Sequence, residues 1–313
     1  MQQHTVHTPY PVGEVHFYTT EINGELILFD TGPLTNEGFE CLRRQVDLSR
    51  LRHIFITHCH ADHFGTVADL ARHTDANILL PRRDAIMLRR REERLSHLEK
   101  LLCGYGFTRE EVDGFRSIAE ANNAFPAPTE RFSVVEESEI PEALGISWLS
   151  CPGHSQSDLV FRVGNYAVTG DVLLRDIYQS PLLDVDADTF AGRFRNYDVY
   201  CSTILELAKL RDSRILPGHR YSVESVDDTI ISYVKKMLKR AGQVKKLADV
   251  ESVREVADQL FEAPLSDPFY TYLKVSEIVF LRDFLSDPGR LEESLKRIGL
   301  LAPVSAQFQS VVG

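Results

Sequence analysis

The sequence predicts a layered α/β fold that carries a helical insertion and ends in a helical region. Three observations predict it. Up to residue 80, short apolar strand-like runs alternate with helical stretches, as α/β layering requires. Several strand-like runs stop at turns that bear glycine and present a histidine or aspartate, which sets those residues along one rim of a sheet sandwich. From Pro81 to about Pro126, and again beyond His219, the apolar spacing is helical.

At the N-terminus, Met1–His7 has neither a basic stretch nor an apolar run, so no secretory signal is expected and the cytoplasm is the expected location. Residues 14–31 predict a hairpin. Val15, Phe17 and Thr19 alternate with His16, Tyr18 and Thr20, Asn23-Gly24 supplies the turn, and Glu25–Phe29 returns to Asp30-Thr31-Gly32. Asp30 sits at a sharp strand-to-loop turn, where an aspartate either caps the turn or orients a metal ligand. A helix is expected over about 36–47, a strand over 52–56, a helix over about 65–73 and a strand over 77–80.

Between that strand and helix lies the densest chemistry of the chain, Thr57-His58-Cys59-His60-Ala61-Asp62-His63-Phe64-Gly65. An extended backbone puts His58 and His60 on one side and turns Cys59 away, as buried filler. Asp62 and His63 follow where the chain turns. Imidazole nitrogen and carboxylate oxygen are ligands for zinc, iron or manganese, and His-x-His-x-Asp-His at a strand end points to a metal site.

The insertion has Leu95, Leu98, Leu101 and Leu102 at helical spacing, a break at Gly104-Tyr105-Gly106, and a capping-box start at Thr108. Its first part carries Arg82, Arg83, Arg89, Arg90, Arg91 and Arg94, read as a solvated face or as a lid whose arginines meet an anionic substrate. Strands are expected at Arg131–Val135 and Ile146–Ser150, the second leading into Pro152-Gly153-His154. A second hairpin, 159–169 across Gly164-Asn165, ends at Gly170-Asp171, and the run Arg214–Pro217 ends at Gly218-His219. Beyond it, Ile230, Val234, Met237, Ala241 and Val244 mark an amphipathic helix, with shorter helices over 251–262, 271–286 and 289–299. These helices are read as packing or partner surface.

Composition narrows the chemistry. The 313 residues are 43% hydrophobic and 26% charged, as in ordinary globular chains that bury a large core. Thirty-five Lys and Arg against 46 Asp and Glu give a net charge of −11, which disfavours a general nucleic-acid binder. Five scattered cysteines imply no disulfide framework. No apolar run is long enough to span a membrane. No Gly-x-Ser-x-Gly elbow is present, which argues against a serine-nucleophile hydrolase.

Taken in order, His58-x-His60-x-Asp62-His63, His154, Asp171 and His219 resemble the ligand set of the metallo-β-lactamase superfamily, in particular its glyoxalase-II-like hydrolases, and Asp30-Thr31-Gly32 resembles its first motif. The resemblance covers about residues 14–222 and implies a four-layer αββα sandwich. A catalytic domain is then expected over 1–222, with the helical insertion at about 82–126, and a helical region over 223–313. It further implies two divalent metal ions, zinc first with iron or manganese as alternatives. His58, His60 and His154 would hold one ion, Asp62, His63 and His219 the other, and Asp171 would bridge them.

Two such ions can share a water, lower its pKa from about 15.7 towards about 7, and polarise a carbonyl oxygen. Asp62 is then the catalytic carboxylate that orients this bridging hydroxide and accepts a proton. Tyr178, shortly after Asp171, is read as a donor to the substrate carbonyl or as a packing residue. The expected function is hydrolysis of a small acyl substrate, whether thioester, ester or lactone. The alternatives are a mononuclear iron oxidoreductase resembling the persulfide dioxygenases, whose Gly-Arg-Thr-Asp-Phe tract is absent here, an RNA-processing metallohydrolase, and a binding protein with slow chemistry. The expected partner is the small substrate, with no membrane; a homo-oligomer stays open.

Overall fold

The computed structural model describes residues 1–10, 12–121, 131–261 and 267–313. Six strands build the first sheet: β1 (Gln2–His7), β2 (Glu14–Ile22), β3 (Glu25–Phe29), β4 (Leu51–Phe55), β5 (Asn77–Leu80) and β6 (Ser133–Val134), in spatial order β1-β2-β3-β4-β5-β6. The first three strands run antiparallel, and β4, β5 and β6 add on in parallel. At the β2–β3 turn Asn23 and Gly24 both take positive φ, 54° and 83°, the conformation an Asn-Gly hairpin turn selects.

The second sheet has the order β10-β9-β8-β7, from β7 (Ile146–Ser150), β8 (Leu159–Val163), β9 (Tyr166–Gly170) and β10 (Arg214–Pro217). β10 runs parallel to β9, and the other pairs are antiparallel.

The sheets face each other across an aromatic core. Phe29, Phe55 and Phe161 are fully buried, with ring centroids 5.3–5.6 Å apart. Alternate residues Leu28 and Ile54 point to the opposite face of the first sheet, where α1 (Asn36–Gln45) brings Leu42 and α3 (Val67–His73) brings Leu70. Burial on both faces is why these strands read as unbroken apolar runs.

Beyond the second sheet lies a helical layer. Val160, Ala167 and Ile215 of that sheet share one core with α8 (Asn196–Leu207), α9 (Val226–Lys245), α10 (Val253–Leu260), α11 (Pro268–Ser286), α12 (Gly289–Ile298) and α13 (Ser305–Val312). The result is the expected αββα architecture with a helical C-terminal region.

The insertion forms α4 (Arg82–Arg89), α5 (Arg91–Gly104) and α6 (Arg109–Ala121), and its expected end at 122–126 lies outside the described residues. It joins the same helical layer. Phe115 lies 4.9 Å from Tyr272 between ring centroids, and Arg254 of α10 bonds Glu111 at 2.9 Å. Thr108 and Glu111 close the predicted capping box: Glu111 N–H donates to Thr108 Oγ1 at 3.2 Å, and Thr108 N–H donates to Glu111 Oε2 at 2.8 Å.

Four of the insertion's arginines are engaged by the chain's own residues rather than left free as a lid would need. Arg82 and Arg83 each bond Asp188 at 2.8 Å, Arg94 bonds Asp184 at 3.0 Å, and the Arg90 guanidinium lies 3.6 Å from the Phe190 ring centre. They clamp the 184–190 loop against the insertion. Arg94 is only 16% exposed, so it is not part of a solvated face either.

Four local expectations shift. The helix expected over about 65–73 splits into α2 (Ala61–Phe64) and α3, so Asp62 and His63 sit in a helical turn, with the amides of His63 and Phe64 bonded back to His60 O. The strand expected at 131–135 shortens to β6 and passes into a 3-10 turn at Val135–Glu137; the remaining short helix, α7, is Ile140–Ala143. The edge strand β1 gave little signal, because its inward positions hold His4 and a single valine, Val6; His4 stacks on Phe17 at 5.0 Å and bonds Thr19 at 2.8 Å. α8 escaped because Tyr197-Asp198-Val199-Tyr200 is rich in poor helix formers, and packing overrides that preference. Among the described residues no helix is long and apolar enough to cross a membrane.

Candidate metal centre

Five of the seven predicted ligands lie beyond strand ends at one rim of the sandwich, and Asp62 and His63 sit beside them in α2. His58 and His60 follow β4, His154 follows β7, Asp171 follows β9 directly and His219 follows β10. The rim is stitched across both sheets. Leu159 N–H donates to Thr57 O at 2.9 Å, His16 N–H to Gly218 O at 2.7 Å, and Gly218 N–H to Gly170 O at 2.8 Å.

The seven side chains fall into three overlapping groups whose donor atoms lie within 4.8 Å of one another: His58/His60/His154, His58/His63/Asp171 and Asp62/His63/His219. The outer two match the two trios that the resemblance implied. The middle one places Asp171 between them. Its Oδ1 lies 3.2 Å from His63 Nε2, and its Oδ2 lies 3.4 Å from His219 Nε2 and 3.8 Å from His154 Nε2.

Outer hydrogen bonds aim the imidazoles. His63 Nδ1 meets Asp30 Oδ2 at 2.9 Å, His154 Nδ1 meets Ser180 O at 2.9 Å, and His219 Nδ1 meets Glu14 O at 2.6 Å. Each of those partners only accepts, so each Nδ1 carries a proton and each Nε2 turns inward, where it can meet an ion. His58 Nδ1 lies 3.1 Å from Thr57 Oγ1, whose own proton goes to Asp30. His60 reverses the pattern and points Nδ1 inward.

Asp30 is therefore a ligand-orienting group. Its φ of 58° is one that aspartate tolerates, and its carboxylate accepts from Thr57 N–H at 2.8 Å, from Thr57 Oγ1 and from His63. Close approach at the rim requires glycine at 218, where an added Cβ would stand 2.5 Å from Asp171 Oδ1 and 2.6 Å from His63 Cε1.

These residues fit a metal. His60 Nδ1 and His154 Nε2 are 2.9 Å apart, and His63 Nε2 and His219 Nε2 are 3.4 Å apart, while His58 Nε2 is buried with no hydrogen-bond partner. Lone pairs facing one another at such range need positive charge between them, which divalent ions supply.

Without ions, protons take part of that role. Burial, then the charge of the His60 imidazole, holds His58 well below its ordinary value, and burial with His154 lowers His60 to about 3. At His63 and His219 burial also pulls downward, but the surrounding carboxylates together outweigh it, Asp171 foremost with Asp62 beside it and Asp30 at His63, raising His63 well above its ordinary value and His219 to about 10. Burial works to raise Asp171, yet His219 and His63 hold it well below the usual carboxylate range.

A pH-dependent prediction follows. At pH 7.5 His63 and His219 carry protons that an incoming ion must displace, whereas His58 and His60 have none to give. Loading should release protons, and metal affinity should rise with pH through the titration of His219 at about 10. In the metal-free protein the raised pKa of His219 contributes stability that is fully present below 6.5 and lost as pH rises through about 10. Calorimetry of zinc uptake at pH 7.5 in buffers of different ionisation heat measures the release. Heats that do not depend on the buffer would contradict the assignment.

The structure does not bring Tyr178 to the cluster. Its ring stacks on Tyr233 of α9 at 4.9 Å between centroids, the Arg240 guanidinium lies 4.0 Å from its centre, and its hydroxyl is buried. Two residues unforeseen in the sequence bear on the site, Asp84 by a direct bond and Tyr10 by its electrostatic coupling to Asp62. Asp84 of α4 accepts from Cys59 N–H at 2.7 Å and so fixes the backbone between His58 and His60, while Cys59 is buried among apolar side chains. Tyr10, in the β1–β2 turn, is half-buried, and burial together with the charge of Asp62 pushes its phenol up to about 12. Neither stands at a ligand-like spacing in the sequence.

The family model described as the metallo-beta-lactamase superfamily matches residues 11–219, and the chain belongs to that superfamily. Among solved structures it is similar to a metallo-beta-lactamase family protein, TTHA1429, from Thermus thermophilus, with TM-score 0.69 and 18% identity over 90% of this chain and 93% of that one. It is also similar to a beta-lactamase domain protein from Burkholderia ambifaria, with TM-score 0.70 and 16% identity over 92% and 87% of the two chains. At such identity the likeness shows the fold. No curated protein matches by sequence.

Proposed function

We propose that the protein is a hydrolase of a small acyl substrate, a thioester, ester or lactone, that works with two divalent ions, zinc foremost. The observation that carries this reading is the convergence of five imidazoles and two carboxylates on one rim, with ring nitrogens turned inward and Asp171 between the two outer trios. When bound, such ions activate water and polarise a carbonyl oxygen.

The chain's own residues do the remainder. Asp30, Ser180 O and Glu14 O lock the tautomers of His63, His154 and His219, so the donor set needs little rearrangement. Asp62 Oδ2 lies 3.3 Å from His219 Nε2 at the edge of the cluster, in position to orient water and take its proton. The acidic chain, at −11, favours a small substrate over a polyanionic polymer. The complete Asp62/His63/His219 trio favours two ions over a single iron.

The test is protein reconstituted separately with zinc, iron and manganese, its metal counted, and assayed on thioesters, lactones and phosphodiesters with and without oxygen. Two ions per chain and oxygen-independent acyl hydrolysis are expected. One iron with oxygen-dependent turnover, or turnover of phosphodiesters alone, would overturn the reading.

A further inference from the structure

The four imidazoles aimed through Nδ1 are not held in the same way. His58, His63 and His219 are fixed by Thr57, Asp30 and Glu14, all within the α/β sandwich. His154 is fixed by a segment without regular structure, Tyr178–Leu183. Two hydrogen bonds join them: His154 Nδ1–H donates to Ser180 O at 2.9 Å, and Leu182 N–H donates to His154 O at 3.0 Å.

An irregular segment has no ladder to satisfy its backbone, so its buried polar groups need partners from elsewhere. The C-terminal helices supply them. Tyr233 of α9 donates its hydroxyl to Gln179 O at 2.9 Å. On α11, the Tyr272 hydroxyl donates to Leu183 O at 2.8 Å. Ser276 Oγ gives its proton to Tyr272 O at 2.7 Å and accepts from Leu183 N–H at 3.1 Å. Tyr233, Tyr272 and Ser276 are all buried. These bonds bracket Ser180 and Leu182 on both sides, where the segment grips His154.

We infer that the C-terminal helices are a working part of the metal centre, with Tyr233, Tyr272 and Ser276 as positioning residues that hold His154 through the 178–183 segment. The consequence is selective. Disturbing these helices loosens the His58/His60/His154 trio and leaves Asp62/His63/His219 unaffected, since that trio depends on the sandwich.

Ser276→Ala leaves Leu183 N–H without an acceptor, and Tyr233→Phe leaves Gln179 O without its donor; both keep the packing nearly intact. In metal-free protein, hydrogen exchange at Leu182 and Leu183 should speed up about tenfold or more in either variant, with exchange around Asp30 and His63 unchanged. In cobalt(II) titrations, an arm that rests on the metal-binding reading above, affinity for one of two ions should fall about 10- to 100-fold while the other holds. Ser276→Thr, which keeps the hydroxyl, should restore both readouts. Unchanged exchange at 182–183, or equal weakening of both ions, overturns the inference. Wild-type protein that takes up no cobalt refutes the proposed function instead, and the exchange measurement still decides this one.

Discussion

Replacing Asp171 by alanine should reduce the metal content from two ions per chain to one or fewer and abolish hydrolysis. Among the described residues, the oxygens of Asp171 approach ligands of both outer trios, His154 on one side and His63 and His219 on the other. Losing the charge and the link together should remove the several kcal/mol that metal assistance gives the transition state. A loss of about 4 kcal/mol corresponds to a rate about 10³-fold lower. Elemental analysis and rates on the acyl substrate found by screening check the two halves separately. An unchanged metal count in the folded variant would show that Asp171 does not join the two trios.

Asp30→Ala should be the most destabilising change at the rim, although Asp30 is no ligand. The residue is 1% exposed and its carboxylate accepts from Thr57 N–H, Thr57 Oγ1 and His63 Nδ1. Alanine would orphan these buried donors at about 1–3 kcal/mol each, and would sit at a φ of 58°, where it is strained. A loss on the order of 4 kcal/mol in urea unfolding of metal-free protein is expected. Asp30→Asn tolerates the same φ and keeps the volume but loses the charge facing His63. It should unfold closer to wild type yet bind metal about 10- to 100-fold more weakly in chelator competition. If Asp30→Asn bound metal as tightly as wild type, the carboxylate's role in aiming His63 would be disproved.

Much of the site was legible because metal ligation uses few residue types and the fold delivers them in a stereotyped way. His58, His60, Asp62 and His63 crowd into six positions, and His154, Asp171 and His219 each stand just past an apolar run closed by glycine. Local signals of that kind survive in a single sequence. So do the Asn23-Gly24 hairpin and the Thr108–Glu111 capping box, since each is complete within four residues. Signals were weakest where burial is one-sided or propensity is overridden, as in β1 and α8.

By itself, then, the sequence determined the α/β layering with its ligand-bearing rim, the identity of the seven candidate ligands and the helical character of the insertion and the C-terminal region, while the αββα order came with the family resemblance those ligands carry. Only the tertiary structure decided how those parts address one another. It engaged the insertion's arginines with Asp184 and Asp188, turned Tyr178 onto Tyr233, brought Asp84 to Cys59, and set the His154 loop on a segment tied to α9 and α11. The physical reason is separation along the chain. Periodicity and turn chemistry are local, whereas Leu183 and Ser276 lie 93 residues apart, and no spacing rule reports a hydrogen bond that exists only after two layers have packed.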